Sequence, residues 1–248
     1  MSAVNMNPII IIPARMASTR LPGKPLIDIC GEPMIIHVLR QAERADIGPV
    51  YVAAGDQEIV EVVGQAGGKA LMTDPDLPSG SDRVFQALSI IDKANYHDVV
   101  INVQGDLPTI APGIIRSVVT PLANKNVDIA TLVAEIVDVR ERNDPNAVKA
   151  VAAIPKDEKI GRALLFSRAA VPWGHGEFYH HIGLYAFRRA ALESFVSLPQ
   201  GILEKRENLE QLRALEAGMR IDVALVDTIP DGVDTPADLE RARDRIAP

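Results

Sequence analysis

The chain has 248 residues, 47% of them hydrophobic and 24% charged, which is enough to bury a sizeable core as one large domain or two small ones. Its 33 acidic side chains against 26 basic ones give a net charge of −7, which argues against generic nucleic-acid binding and leaves room for a local basic site. The one cysteine, Cys30, excludes an intramolecular disulfide and suits a reducing cytoplasm, and no Cys/His grouping has zinc spacing.

No basic side chain precedes the first apolar run and no small-residue cleavage site follows it, so no secretory signal is expected. That run, Pro8–Ala14, falls far short of the roughly 20 residues of a membrane-spanning helix. Its β-branched centre, Ile9-Ile10-Ile11-Ile12, predicts a strand buried on both faces. Further strands are predicted at 50–53, 99–103, 128–133 and 221–226, with amphipathic helices over 33–44, 57–65, 81–93 and 111–122. Alternating strands and helices imply an α/β fold with a doubly wound, mostly parallel sheet, whose ligands bind at the carboxyl ends of the strands. From Ala147 to about Ser197 the pattern changes. Strands at 147–154 and 181–187 have no regular crossover helix before them, which predicts an antiparallel elaboration of the second half. An acidic helix is expected over 204–216. No internal repeat or linker interrupts the chain, so a single domain over 1–248 is expected.

The loop after the first strand reads PARMASTRLPGKP and holds Arg15, Arg20 and Lys24 with no carboxylate. Three cations on a proline-stiffened loop at a strand's carboxyl end suit a polyphosphate, and the competing reading is a solvated basic surface loop. Neither GxGxxG nor GxxxxGK[ST] is present, so dinucleotide and P-loop readings have little support. Asp106 emerges from the 99–103 strand in Gln104-Gly105-Asp106 and could hold Mg²⁺ or simply form a turn before Pro108. Asp234 precedes Thr235-Pro236, a common helix start, so capping competes there too. Ser79-Gly80 combines a turn with a helix start and reads either as a rigid base-binding edge or as a plain cap.

The segment IIIIPARMASTRLPGKPL resembles the amino-terminal signature of the 3-deoxy-manno-octulosonate (KDO) cytidylyltransferase family. The likeness continues in family order through SGSDR, NVQGD, FSRA, HIGLY, LEQLR and GVDTPADLE, covering essentially the whole chain. Sialic acid cytidylyltransferases share the IPAR opening and usually diverge over STRLPGKPL. The resemblance implies a nucleotidyltransferase fold, Rossmann-like and of GT-A type, that transfers CMP from CTP to KDO with release of pyrophosphate. It implies joint Mg²⁺ binding by Asp106 and Asp234, leaving Thr235 to cap the last helix. Arg15, Lys24, Asp106 and Asp234 become the catalytic set, and Ala14, Arg15, Arg20, Lys24, Ser79, Gly80 and Gln104 the nucleotide site.

A sugar acid presents a carboxylate and many hydroxyls, a need met by Arg83, Gln104, Arg168, His181, Tyr185, Glu210 and Gln211. Strand phase puts His181 and Tyr185 on one face, with His180 on the other. Without the family, Arg168 reads as a surface ion-pair partner, His181 as a satisfied core histidine, Tyr185 as a core edge and Glu210 as part of a solvated helix face. One departure is Leu107, where many members carry Glu after QGD; it removes an outer acceptor beside the metal and leaves both direct ligands. No side chain of these motifs is a convincing general base. The resemblance further implies a cytoplasmic homodimer in lipopolysaccharide synthesis, with segment 147–215 as acceptor and dimerisation elaboration. Val171, Trp173, Leu192 and Phe195 would either form the dimer surface or finish the core. The rival readings are a cytidylyltransferase for 8-amino-KDO or sialic acid, separable by a substrate panel, and a non-catalytic nucleotide-binding regulator, whose mark would be loss of Lys24, Asp106 or Asp234. All three are present.

Overall fold

Ile9, Ile10, Ile11 and Ile12 are all buried at the centre of β1 (Pro8–Ala14), as an apolar run without alternation requires. The computed structural model describes residues 6–18 and 21–247, so Arg20 lies outside the described residues. By its own contacts the chain divides into two compact units, one of Met6–Arg116 with Pro230–Pro248 and the other containing Ser117–Ile229. The change of pattern expected from Ala147 falls inside the second unit.

After β1 the first unit continues through the short hairpin β2 (Asp28–Ile29) and β3 (Glu32–Pro33), then α1 (Met34–Arg44), β4 (Val50–Ala54), α2 (Gln57–Gln65), β5 (Ala70–Met72), α3 (Gly80–Ile91), β6 (Val99–Asn102) and α4 (Pro112–Ser117). Its larger sheet has the order β5-β4-β1-β6 with every pairing parallel. β1 is flanked on both sides, Ile10 standing opposite Val50 and Ile101. The segments leaving β1, β4 and β6 therefore emerge at one edge, which brings Arg15, Gly55 and Gln104 towards each other. α1 turns Met34, Ile35, Val38, Leu39 and Ala42 inward, a helical stripe that covers the sheet. The helix expected over 111–122 stops at Ser117, and a separate 3-10 turn spans Thr120–Ala123. Pro121 has no N–H to offer a continuous helix.

The second unit comprises β7 (Ile129–Glu135), α5 (Val139–Asn143), β8 (Lys149–Ala153), β9 (Ile160–Ser167), β10 (Tyr179–Arg188), α6 (Arg189–Ser197), α7 (Ile202–Glu207), α8 (Gln211–Glu216) and β11 (Ile221–Val226). Its order is β10-β7-β11-β9-β8, and only β7 and β11 pair in parallel. The mostly parallel sheet expected for the chain thus describes the first unit alone. β8 and β9 are joined by a short turn, which an antiparallel pair accepts and a parallel pair does not. β9 itself was not legible as a strand, because Gly161 and Arg162 interrupt its apolar pattern and Leu164 faces outward.

The helix expected over 204–216 is two helices, α7 and α8, parted at Asn208, whose φ of 55° is a left-handed turn that Asn tolerates. A buried ion pair spans the break, Arg213 donating to both carboxylate oxygens of Glu204 at 2.9 and 2.6 Å. Leu192 and Phe195 are buried and finish the core, whereas Trp173 is fully exposed. The chain then returns to the first unit with α9 (Pro236–Ile246). Thr235 caps it, its hydroxyl accepting from Asp238 N while the Asp238 carboxylate accepts from the N–H groups of Asp234 and Thr235. Asp234 is thereby spared from capping with its own side chain. Arg213→Met should destabilise the fold by roughly 3–5 kcal/mol in urea unfolding, because Glu204 is left as an uncompensated buried charge. The double variant Glu204→Gln/Arg213→Met should recover part of that loss.

Candidate active site

Beyond β1 the basic loop doubles back through Gly23, whose φ of 67° suits a residue without a Cβ, into a 3-10 turn over Lys24–Leu26. This turn presents the Lys24 side chain. Beyond β6 the chain passes so close to β1 that a Cβ on Gly105 would lie 2.9 Å from the carbonyl oxygen of Pro13. The next residue, Asp106, accepts a main-chain hydrogen bond from Val233 N at 3.0 Å, which joins the loop after β6 to the loop before α9. Lys24 Nζ then donates to Asp106 Oδ2 at 2.7 Å and to Asp234 Oδ1 at 2.8 Å. Burial works against the Lys24 charge, and the two carboxylates, Asp106 foremost, outweigh it and hold the ammonium above its ordinary value.

These groups line a cavity of about 420 Å³ together with Arg15, Gln104 and Gly105. A smaller cavity of about 140 Å³ shares Ala14, Arg15 and Gln104 with it and is closed by Ser79, Gly80 and Arg83. The expected nucleotide residues other than Arg20 are therefore gathered around two adjoining cavities of the first unit. Ser79 serves as the N-cap of α3, accepting from Asp82 N and donating to Asp82 Oδ2 at 2.6 Å, so its hydroxyl is engaged in the cap that the plainer reading predicted. Arg83, placed by sequence among the sugar-binding residues, lines the smaller cavity together with Gln104. It is buried and donates to Thr73 Oγ1 at 2.5 Å and to Pro75 O at 3.2 Å. Burial, then the neighbouring Arg15, lower its pKa.

Asp56 was missed from sequence: its carboxylate accepts from Met16 N at 2.7 Å and pins the basic loop, which has no carboxylate of its own. Its place directly after Gly55 at the end of β4 was the available signal. Leu107 is buried and directed towards Gly232, so the departure from the family pattern fills the space between the two acid-bearing loops.

A divalent cation fits this donor set. Asp106 and Asp234 offer hard carboxylate oxygens close enough for one ammonium to bridge, and both side chains keep partial access to solvent, 33% and 43%. Among the described residues no group of three or more His, Cys, Asp or Glu forms a metal cage, so a cation here would complete its shell from water and substrate.

Arg168, His181, Tyr185, Glu210 and Gln211 belong to the second unit. His181 is buried, with Nε2 at 3.1 Å from Thr131 Oγ1 and Nδ1 at 3.4 Å from Gln211 Nε2. Its ring packs against those of Phe166 and Tyr185 at 4.7 and 5.6 Å, so His181 and Tyr185 do share a face. Desolvation, with a contribution from His180, pushes the His181 pKa down to about 3, and desolvation followed by the Glu210 charge pushes the Tyr185 phenol up. His180, on the other face, meets the Glu141 carboxylate at 2.5 Å. Arg168 is committed to main-chain carbonyls: Nε to Glu207 O at 2.8 Å, Nη1 to Pro145 O at 3.0 Å and Nη2 to Asn208 O at 3.4 Å. Glu210 lies 3.9 Å from Arg213. The sequence also gave no hint of Lys149, fully buried with its ammonium on the carbonyls of Asp144 and Ala147.

Because His181 is neutral when folded down to about pH 3 and protonates near 6.5 when unfolded, the unfolded state binds the extra proton between those values. Its contribution to stability is complete above pH 6.5 and is lost as pH falls towards 3. Urea midpoints should show the wild type losing up to about 1.4 kcal/mol per pH unit more than His181→Gln across this window.

A family model described as Cytidylyltransferase matches residues 9–221. The 3-deoxy-manno-octulosonate cytidylyltransferase of Paramagnetospirillum magneticum is 63% identical over 96% of this chain and 97% of its own length. That of Rhodospirillum centenum is 60% identical over 100% and 96%. A solved structure of CMP:2-keto-3-deoxy-manno-octonic acid synthetase complexed with CTP superposes with a TM-score of 0.89 at 37% identity, covering 97% of this chain and 98% of that one. The arrangement of Lys24, Asp106 and Asp234 around one cavity thus occurs in a chain that belongs to the 3-deoxy-manno-octulosonate cytidylyltransferase family.

Proposed function

We infer that the chain is a nucleotidyltransferase that transfers CMP from CTP to KDO, forming CMP-KDO and pyrophosphate. The observation that carries this reading is the Lys24–Asp106–Asp234 trio beside Arg15 in a cavity of about 420 Å³, within a chain 63% identical to a named KDO cytidylyltransferase. The cavity sits where β1 and β6 end, the position at which parallel, doubly wound sheets of Rossmann-like type receive ligands.

Arg15, exposed at the cavity rim, offers a guanidinium fork to phosphate oxygen pairs, and Lys24 offers a compact charge. The main demand of such a transfer is positioning and charge stabilisation, so the rigid turn at Gly23 and the close contact of Gly105 with Pro13 matter as much as the charges. Asp106 and Asp234 would hold Mg²⁺, which supplies charge neutralisation across the phosphate oxygens when bound. The KDO hydroxyl attacks the α-phosphorus in line: the new O–P bond replaces the bond from the α-phosphorus to the α–β bridging oxygen, the hydroxyl proton passes to solvent, and pyrophosphate leaves. His181, Tyr185 and Gln211 form the proposed sugar-acid cluster, with neutral His181 and Tyr185 acting as hydrogen-bonding groups. Arg168 shapes that region through the 145 and 207–208 carbonyls.

We further propose a cytoplasmic homodimer serving lipopolysaccharide synthesis. No helix among the described residues is long and apolar enough to cross a membrane. The exposed side chains of Val137, Val139, Trp173 and Ile202, all on the second unit, offer apolar surface for a second copy.

Purified protein with CTP, Mg²⁺ and KDO should release pyrophosphate in a coupled assay. Silence with KDO combined with release for 8-amino-KDO or sialic acid would reassign the acceptor. Asp106→Asn should lower turnover at least about 100-fold with an unchanged circular dichroism spectrum. Near-normal turnover in that variant would remove Asp106 from the catalytic set.

A further inference from the structure

Lys24 stands where a divalent cation would have to act. Its ammonium lies 2.7 Å from one carboxylate of the proposed metal pair and 2.8 Å from the other, and it contributes one positive charge against their two negative ones. Both contacts are at full charge-assisted hydrogen-bond distance, and only 14% of the Lys24 side chain is exposed. A second cation bound by the same oxygens would face this ammonium at close range, and like charges so placed repel strongly in a partly buried site.

The same cavity contains a place for Lys24 to go. Arg15, Ser18 and Gln104 line it alongside the trio, so a triphosphate seated there would bring oxygen anions within the reach of a flexible four-carbon side chain. We propose that Lys24 is an exchangeable internal counter-ion: it occupies the two carboxylates when the site is empty, opposes entry of a divalent ion by itself, and moves to the nucleotide phosphates when nucleotide and metal arrive together. This inference rests on the reading of Asp106 and Asp234 as metal ligands and adds a regulation of that site. Its consequence is an obligatory coupling. Nucleotide phosphate removes the competitor from the metal ligands, and the metal removes the carboxylates' hold on Lys24, so each ligand favours the other by the same factor.

The exchange can be read without turnover. Electron paramagnetic resonance of free Mn²⁺, titrated with nucleotide-free protein, should show weak binding by the wild type, equally weak binding by Lys24→Arg and at least tenfold tighter binding by Lys24→Met. In the unaltered protein, saturating Mn²⁺ should raise the rate at which acetic anhydride labels Lys24, measured by peptide mass spectrometry, and added CTP should lower it again. A folded Lys24→Met protein that binds Mn²⁺ no more tightly than the wild type overturns the proposal, and so does a Lys24 labelling rate unaffected by Mn²⁺. Should Lys24→Met fail to fold, the labelling experiment decides alone. Pyrophosphate release from CTP and KDO tests the catalytic reading separately, so loss of the counter-ion exchange leaves the assigned reaction standing.

Discussion

One ammonium held between two carboxylates is the interaction on which the site depends. Lys24 reaches Asp106 across 82 residues of sequence and Asp234 across 210, drawing together the loop after β1, the loop after β6 and the approach to α9. Taken alone, either carboxylate beside the other would be repelled, and both would repel the triphosphate they are proposed to serve. The lysine offsets that repulsion, and the Val233–Asp106 main-chain bond sets the spacing independently of charge. The acidic chain therefore keeps its useful positive charge local. Arg15 and Lys24 lie on a loop without carboxylates, and the loop is held by carboxylates borrowed from elsewhere, Asp56 included.

The two units solve different physical problems. The first places the ends of parallel strands side by side, so three loops from distant sequence meet at one edge with little need for long side chains. The second is largely antiparallel and buries polar groups in pairs: His181 with Thr131 and Gln211, Glu204 with Arg213, Lys149 with main-chain carbonyls. Each of these would be costly if left unpaired, which makes this unit a precise scaffold and a vulnerable one. Its two short helices, parted at Asn208, carry Glu210 and Gln211 at the break, where an uninterrupted helix would have aimed them differently.

Legibility followed local physics. The isoleucine run, the strands at 50–54 and 221–226 and the helix at 57–65 were readable because their apolar periodicity is strong and their ends are marked by Gly, Pro or Asp. β9 was not, because Gly161 is there for a close approach to Ala153 and carries no pattern. Arg168 shows the same limit at the level of a site. A cation after an apolar run looks available for a ligand or an ion pair, yet three carbonyls brought by folding take up its donors. For Ser79, the structure shows the cap of α3 that the plainer reading predicted, and the same residue lines a cavity.

By itself the sequence determined the chemistry on offer: a stiff basic loop after a buried strand, an acid after a second strand, an acid before a capped helix, and motifs whose order marks the family. These are properties of residue type and spacing, and they survive without coordinates. The family likeness had already brought Asp106 and Asp234 to one site, and what tertiary structure added is how the charges meet there, with the Lys24 ammonium bridging both carboxylates. Tertiary structure decided equally that Arg83 belongs with Arg15, that Leu107 fills the gap between two loops, and that His181 is kept neutral. Each of those outcomes depends on desolvation and on partners from distant segments, and neither is a property of a residue in its own sequence.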